Sequence, residues 1–116
     1  ERHYRWPRKK SQEKLKAAVR EKTRRTDEHS LQFVIGRVNA ILTGWFEYFK
    51  HGRYTTFEPI DRWERMRLRS ILRFRSGRKG RGRGADHQRW PNAFFATHGL
   101  FCLTTAHALA CQSARR

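Results

Sequence analysis

The clearest hydrophobic pattern of the chain lies between residues 30 and 52. Apolar residues recur there at helical spacing for about five turns, at Leu31, Val34, Ile35, Val38, Ile41, Leu42, Trp45, Phe46 and Phe49. Ser30 is a favourable N-cap for this segment, and Gly52 stands where a helix would stop. The pattern predicts an amphipathic helix whose apolar face forms the centre of a small core.

The opposite face of this helix, the second of the chain, carries small residues at every fourth position, namely Gly36, Ala40 and Gly44. A glycine inside a helix costs about 1 kcal/mol relative to alanine. The stripe therefore favours the interpretation that another helix packs closely against it. Close approach of a nucleic-acid backbone is the alternative.

A weaker pattern predicts a first helix from Ser11 to Arg25, with Ser11 as its N-cap. One face of this helix carries Leu15, Ala18, Val19 and Lys22. The other face carries Lys16, Arg20 and Arg24. The apolar face is narrow, so we expect this helix to need a packing partner.

A third helix is predicted over residues 57–74. Its apolar side consists of Phe57, Ile60, Trp63, Leu68, Ile71 and Phe74. The reverse side is predicted to be an exposed row of arginines, at Arg62, Arg65, Arg69 and Arg73. Asp61 and Arg65 are spaced to pair along the helix. Arg67 points toward the apolar side, so it must find a partner or extend past the edge of the core.

The spacing of these elements divides the chain into a basic lead-in (1–10), a helical domain (11–75), a flexible Gly/Arg linker (76–86) and a C-terminal extension (87–116). The linker contains no apolar residue besides Ala85, so it is expected to be mobile. The extension is apolar at first, and a short helix is predicted near 105–113. We therefore predict an all-α fold, with a small three-helix bundle, a linker and a short helical tail.

Charge changes this picture from an ordinary small bundle to a polyanion-binding one. The 116 residues include 27 Lys and Arg but 10 Asp and Glu, which gives a net charge of +17. Eleven of the cations fall in residues 1–25 and eleven in 62–89, whereas 30–60 holds three. Nucleic acid is the expected counter-charge, and an anionic membrane surface is the weaker candidate.

The predicted RNA-binding residues come from both basic blocks. In the second block arginine outnumbers lysine ten to one, and the planar guanidinium suits phosphate oxygens. The candidates are Lys9, Lys10, Lys16, Arg20, Arg24, Arg62, Arg65, Arg69, Arg73, Arg78, Lys79, Arg81 and Arg83. Contacts of this kind position a protein on a phosphate backbone without reading sequence.

Other chemistry has little support in the sequence. No paired-carboxylate motif and no phosphate-binding loop motif is present, and the glycines at 80–84 belong to the linker. His98, Cys102, His107 and Cys111 are zinc-ligand residue types, but their spacing matches no known zinc module, so packing is the favoured interpretation. We predict no catalytic residue, no metal and no cofactor.

The cellular setting follows from what the sequence lacks. No apolar run is long enough to span a membrane, and the start has no signal-peptide pattern. Two cysteines do not make a disulfide framework. We expect a cytoplasmic protein without a membrane partner.

One string in the middle of the chain is specific, the pattern Asn-x-Ile-Leu-x-Gly-Trp-x-x-Tyr-Phe over residues 39–49. Asp61-Arg62-Trp63 and Arg67 continue the pattern in the third helix. With these residues the chain resembles the maturase-specific domain of reverse transcriptases encoded by group II introns. The tail, from Trp90-Pro91-Asn92-Ala93 onward, is similar to the C-terminus of bacterial members, so the resemblance covers residues 5–113.

The resemblance implies a thumb, or X, domain, which is a non-catalytic helical bundle beside a polymerase active site. Such a domain grips template and primer, and it binds intron RNA to support splicing and mobility. The implied partners are group II intron RNA, template–primer duplex or target DNA, and the fingers and palm portion of a reverse transcriptase. We expect that portion, with its metal-binding aspartates, to precede this chain.

Two other function classes remain open at the level of sequence. A structural RNA-binding subunit of a ribonucleoprotein particle fits the composition, although the string at 39–49 argues against it. A DNA-binding helix-turn-helix built from the second and third helices is the other alternative. Its connection, residues 52–56, is longer than the usual three or four residues.

Overall fold

A computed structural model of the protein describes residues 7–77 and 84–114. Within these ranges the chain forms six α-helices and no strand, so the predicted all-α class is confirmed. The helices are α1 (Lys9–Lys22), α2 (Leu31–Phe49), α3 (Tyr54–Arg75), α4 (Gly84–Arg89), α5 (Asn92–Thr97) and α6 (Leu103–Ala114). The predicted short tail helix is thus the last of three helices that follow α3.

Helix α1 begins two residues earlier than predicted, and Ser11 is not its N-cap. The Gln12 side chain donates to the carbonyl oxygen of Pro7 at 3.0 Å, which holds the chain just ahead of the helix. The helix ends at Lys22 because Thr23 turns back on it. The Thr23 hydroxyl donates to the Val19 carbonyl at 2.8 Å, and the Thr23 amide donates to the Arg20 carbonyl at 3.2 Å.

Helix α2 matches its prediction. Ser30 caps it, since the Ser30 hydroxyl accepts from the Phe33 amide at 3.2 Å. The predicted apolar face is buried at Val34, Ile35, Val38, Leu42, Phe46 and Phe49 and half-buried at Leu31, Ile41 and Trp45. This face builds the core between α1 and α3.

Gly52 follows α2 at a point where the chain passes very close to other groups. A Cβ atom at this position would lie 3.1 Å from a ring carbon of Phe57 and 3.2 Å from both the Phe49 carbonyl oxygen and Pro7. A side chain here would therefore crowd its neighbours by a few tenths of an ångström, which glycine avoids, and glycine is also favoured as a helix stop.

The small-residue stripe of α2 is exposed, and the prediction that a helix of this chain packs on it is wrong for the described residues. Gly36, Ala40 and Gly44 all face outward, and a Cβ added at either glycine would meet nothing within 4 Å. The apolar side of α2 already contacts the neighbouring helices, so the stripe remains on the solvent side.

Helix α3 is packed on two sides, and this packing determines which of its polar residues are buried and which are exposed. The rings of Trp45 and Phe46 on α2 contact Phe57 on one side, at centroid distances of 6.1 and 5.6 Å. Helices α4 and α6 pack against α3 as well. Four of its predicted apolar residues are buried, Trp63 is half-buried, and Phe74 is 44% exposed.

Asn39 of α2 holds the turn between α5 and α6. Its side-chain amide donates to the Gly99 carbonyl at 2.8 Å, and its side-chain oxygen accepts from the Phe101 amide at 2.7 Å. The turn needs glycine at position 99, where the backbone φ is +84°. The specific string at 39–49 therefore includes a residue that fastens the C-terminal extension to the core.

The predicted linker lies largely outside the described residues, because positions 78–83 belong to neither described range. Its last residues, 84–86, form the start of α4. Asp86 is fully buried there. Residues 84–86 are therefore helical where the sequence pattern predicts a flexible linker.

Candidate nucleic-acid interface

The four predicted row arginines of α3 do not form one exposed row. Arg69 is 3% exposed and lies inside the protein. Its guanidinium donates to the Trp90 carbonyl at 2.8 Å and to the Asn92 side-chain oxygen at 2.9 Å, and it lies 5.2 Å from the centroid of the Phe95 ring. Burial lowers the pKa of Arg69, and the nearby Arg65 lowers it further.

Arg73 is also turned into the protein. One of its guanidinium nitrogens lies 3.0 Å from a carboxylate oxygen of Asp86, and the side chain is 14% exposed. The prediction that Arg69 and Arg73 face solvent is therefore wrong. Helices α4 and α5 cover the side of α3 that the sequence pattern left open, and they provide acceptors for both arginines.

The other two row arginines differ from each other. Arg62 is 65% exposed and lies 2.8 Å from the carboxylate of Glu58, one turn earlier on α3. Arg65 is half-buried, and its Nε atom is buried without a hydrogen-bond partner among the described residues. Arg62 is therefore already paired, and Arg65 is only partly exposed, so neither is the fully exposed, unpaired cation that the row was expected to contain.

Two further arginines of α3 hold the connection between α1 and α2. Arg67 donates to the Thr23 hydroxyl and carbonyl, each at 3.1 Å, and to the Arg20 carbonyl at 3.4 Å. Arg75 donates to the carbonyls of Asp27 and His29. Arg67 thus finds the partner that the sequence required, at the negative end of the α1 dipole.

Asp27 fixes the same connection from its other side. Its carboxylate accepts from the His29 amide at 2.8 Å and pairs with Arg37 at 2.9 Å. The hydrogen bond from the His29 amide is the largest cause of the lowered pKa of Asp27, and the charges of His29 and Arg37 act in the same direction. The connection is therefore built from ion pairs and carbonyl contacts rather than from apolar packing.

Helix α1 and the residues directly after it present cations outward. Lys9, Lys10, Arg20 and Arg24 are exposed, and Lys16 is half-buried. We call these five residues the α1 basic face. Within the described ranges no carboxylate lies at ion-pair distance from any of the five. These cations are therefore available to an external anion.

Part of the α1 basic face contacts a tryptophan of α3. The Lys16 amine lies 5.5 Å and the Arg20 guanidinium 5.4 Å from the centroid of the Trp63 ring. Arg67 lies over the same ring at 5.9 Å. Such contacts orient the long side chains while their charged ends remain at the surface.

Arg25 is a neighbouring cation that sequence reasoning left out of the candidate set. It is exposed, and its guanidinium lies 6.0 Å from the centroid of the Phe74 ring. The signal that could have indicated it is its place directly after Arg24, close to the end of α1. The remaining candidates, Arg78, Lys79, Arg81 and Arg83, lie outside the described residues.

The four zinc-type residues do not form one cluster. Cys102 contacts Asp61 at 3.3 Å, the His98 ring nitrogen lies 2.8 Å from the Phe94 carbonyl, and Cys111 lies 3.6 Å from His107. Across the described part of the chain, no three His, Cys, Asp or Glu residues are grouped as a metal would require.

The sequence pattern did not indicate that two acidic residues, Asp61 and Glu64, would lie inside the protein. Asp61 accepts from the backbone amides of Leu103 and Thr104 at 2.9 and 3.0 Å, so it caps α6 instead of pairing with Arg65. Glu64 is buried, and neither of its carboxylate oxygens has a hydrogen-bond partner within 7–77 and 84–114. Burial, followed by the Asp61 charge, raises the pKa of Glu64 well above its usual range.

An all-helical basic domain with an exposed cationic helix is typical of proteins that bind nucleic acid. In the parts of the chain that the structure describes, no helix has both the length and the apolar character needed to cross a membrane. The family model of the group II intron maturase-specific domain matches residues 12–90. The chain belongs to this family, as the string at 39–49 predicts.

The family match covers nearly all of α1 and the whole of α2, α3 and α4, whereas α5 and α6 lie beyond it. Comparisons with curated proteins and with solved structures give no match. The role of the chain in a group II intron system therefore rests on the family match together with the geometry described above.

Proposed function

We propose that this chain is an RNA-binding maturase module that holds group II intron RNA through the α1 basic face. In this role the protein supplies cations on a rigid scaffold, and the RNA itself supplies the splicing chemistry. The module has no catalytic step of its own. It acts as a thumb-like part beside the fingers and palm of a reverse transcriptase, where the same face would also contact template–primer duplex.

The observation that carries the proposal is the lack of counter-charge beside the cations of α1. Among the described residues, Lys9, Lys10 and Arg24 are exposed with no carboxylate at ion-pair distance, whereas Arg62 and Arg73 of α3 are paired with Glu58 and Asp86. Unpaired surface cations on a strongly basic protein gain most from an external polyanion. RNA phosphates supply that charge, and condensed counterions are released on binding.

The scaffold supports this use of α1. Leu15 and Val19 are buried against the core, which fixes the opposite side of the helix outward. Arg67 holds the C-terminal end of α1 through carbonyl contacts. The spacing of the cations along the helix is therefore set before RNA binds, and less entropy is lost on binding.

The experiment compares two double variants that remove the same charges. Lys10→Gln with Arg24→Gln removes one lysine and one arginine from the α1 basic face. Lys50→Gln with Arg62→Gln removes one of each from sites already paired with Glu47 and Glu58. Binding of a group II intron RNA to the 116-residue chain is measured over a range of salt concentrations.

The α1 variant should lower RNA affinity and reduce the log–log salt slope by about 0.7–0.9 for each phosphate that is no longer neutralised. The paired-site variant should leave the slope close to that of the unmodified chain. Equal reductions of affinity in the two variants would contradict a surface centred on α1. A preference for duplex DNA over intron RNA, or equal binding to an unrelated RNA of the same length, would contradict the maturase role.

A further inference from the structure

A cleft of about 590 Å³ lies between the end of α1 and the middle of α3. Its lining includes Arg20, Thr23, Arg25, Trp63, Met66 and Arg67. This volume falls within the range of roughly 300–1,000 Å³ that is usual for small-ligand sites. The cleft therefore has room for one phosphate group with the sugar that carries it.

Three guanidinium groups meet at this cleft without a compensating acid. Arg20, Arg25 and Arg67 all line it, and no carboxylate of the described residues does. Burial lowers the pKa of Arg67, and the charges of Arg20 and Arg25 lower it further, in keeping with their shared place at the cleft. Like charges held together in this way leave an electrostatic deficit that an anion would relieve.

The three arginines differ in how many of their N–H donors remain available to a ligand. Arg67 is engaged by the Thr23 hydroxyl and by the carbonyls of Thr23 and Arg20, so it contributes mainly charge. Arg20 and Arg25 are exposed, and their guanidinium groups lie over the aromatic rings of Trp63 and Phe74. A guanidinium on an aromatic ring keeps its N–H donors for other partners.

We propose that this cleft seats one phosphate group of bound RNA between the guanidinium groups of Arg20 and Arg25, beside Trp63. The proposal rests on the proposed function and adds to it a defined site, whereas the α1 basic face as a whole makes distributed contacts. The phosphate is either an internal phosphodiester or a terminal phosphomonoester of the RNA. The chemistry recognised is the same in both cases.

Met66 provides the measurement, because it is the single methionine of the chain and lines the cleft. With a ¹³C-labelled methionine methyl group, one NMR signal reports on the site in the intact 116-residue chain. The probes are adenosine 5′-monophosphate, the dinucleotide ApA and adenosine. The first carries one phosphomonoester, the second one phosphodiester, and the third no phosphate.

A saturable shift of the Met66 signal is expected with one or both phosphate-bearing probes and not with adenosine. Tighter binding of the monophosphate identifies a terminal phosphate as the source, and tighter binding of ApA identifies an internal one. Arg25→Gln should weaken the binding about tenfold, because it removes a charge-assisted hydrogen bond to the phosphate. Arg25→Lys keeps the charge without the fork, and it should weaken binding less.

Arg62→Gln is the control, since it removes the same charge from an exposed side chain that is paired with Glu58 and does not line the cleft. It should change the binding less than about twofold, because exposed charges are screened. Equal weakening by the two glutamine variants, or an equal response to adenosine, would overturn the proposal.

The two proposals fail in different ways. Intron RNA binding that is retained without any Met66 response to phosphate would contradict the cleft alone. A Met66 response that persists while intron RNA is bound no better than an unrelated RNA would contradict the maturase role alone.

Discussion

Residues 1–25 and residues 62–89 carry eleven cations each, and the described cations of the two sets are used in opposite ways. The described cations of α1 mostly face solvent, and those of the α1 basic face have no ion pair with another described residue. The arginines of α3 at 67, 69, 73 and 75 donate to oxygen atoms of the protein itself. The described cations of the first block therefore mostly face outward, while the arginines of α3 largely hold the fold together.

This difference shows that the number of acidic residues alone underestimates how many hydrogen-bond acceptors the protein provides for its own arginines. Residues 62–89 contain two acidic residues, Glu64 and Asp86. The acceptors that engage α3 are largely backbone carbonyls, as at Trp90 for Arg69 and at Thr23 for Arg67. A guanidinium with five donors can be satisfied by carbonyl oxygens that carry no formal charge.

The largest expected effect comes from Arg69→Ala. The substitution leaves the Trp90 carbonyl and the Asn92 side-chain oxygen without their donor inside the protein, so the free energy of unfolding should fall by about 3 kcal/mol. Arg62→Ala, which removes an exposed pair with Glu58, should lower it by about 0.5 kcal/mol or less. Urea unfolding followed by circular dichroism measures both, and similar decreases would contradict the contrast between the two arginines.

The next-largest effect tests the hydrogen bonds that attach the C-terminal extension to the core. Packing of this extension turns the α3 arginines inward. Asn39→Ala removes two hydrogen bonds to the turn at Gly99 and Phe101, so the free energy of unfolding should fall by about 2 kcal/mol. Thr43→Ala changes an exposed residue one turn further along α2 and is the control. Hydrogen exchange should show faster opening of α5 and α6 in the Asn39 variant. Unchanged exchange would mean that the extension is held by other contacts.

A third effect concerns pH. Because the pKa of Glu64 is raised by burial, the folded protein binds this proton more tightly than the unfolded chain does. The free energy of unfolding should therefore fall as pH rises above the ordinary value of 4.5. Glu64→Gln should remove this dependence and raise the urea midpoint at pH 7.

Glu47→Gln provides the comparison for Glu64, because Glu47 is 67% exposed and lies 3.6 Å from the amine of Lys50. It should leave the pH profile of the urea midpoint close to that of the unmodified chain. If the Glu64 variant follows the same profile as the unmodified chain, the buried carboxyl is not the cause of the pH dependence.

The smallest effect on stability is expected on α1. Lys10→Gln changes an exposed cation that pairs with no described carboxylate, so the free energy of unfolding should change by less than about 0.5 kcal/mol. The log–log salt slope of RNA binding should still fall by about 0.7–0.9. A large decrease in stability here would remove the distinction between the two basic blocks.

Helical periodicity was sufficient to predict a helix where a single apolar face packs against the core. Helix α2 and its Ser30 cap follow directly from spacing and capping chemistry. The start of α1 was missed because Pro7 and Gln12 together hold the chain before the helix, through a side-chain hydrogen bond that has no periodic signature.

The candidate site could be predicted only in part, for a related reason. The exposed positions on α1 follow from its narrow apolar face. The inward positions of Arg69 and Arg73 depend on the packing of α4 and α5 onto α3, which brings together residues more than ten positions apart. Local spacing on α3 does not contain this information.

The cap that Asp61 provides for α6 sets a practical limit on how the protein can be shortened. The family match ends at residue 90, but the amides that Asp61 accepts from belong to Leu103 and Thr104, and Arg69 needs Asn92. A polypeptide cut after residue 90 would keep a carboxylate that had lost both backbone amides and a guanidinium that had lost one of its two acceptors. Expression of such a truncation should yield protease-sensitive, aggregating material, whereas a product that retains α5 and α6 should remain intact.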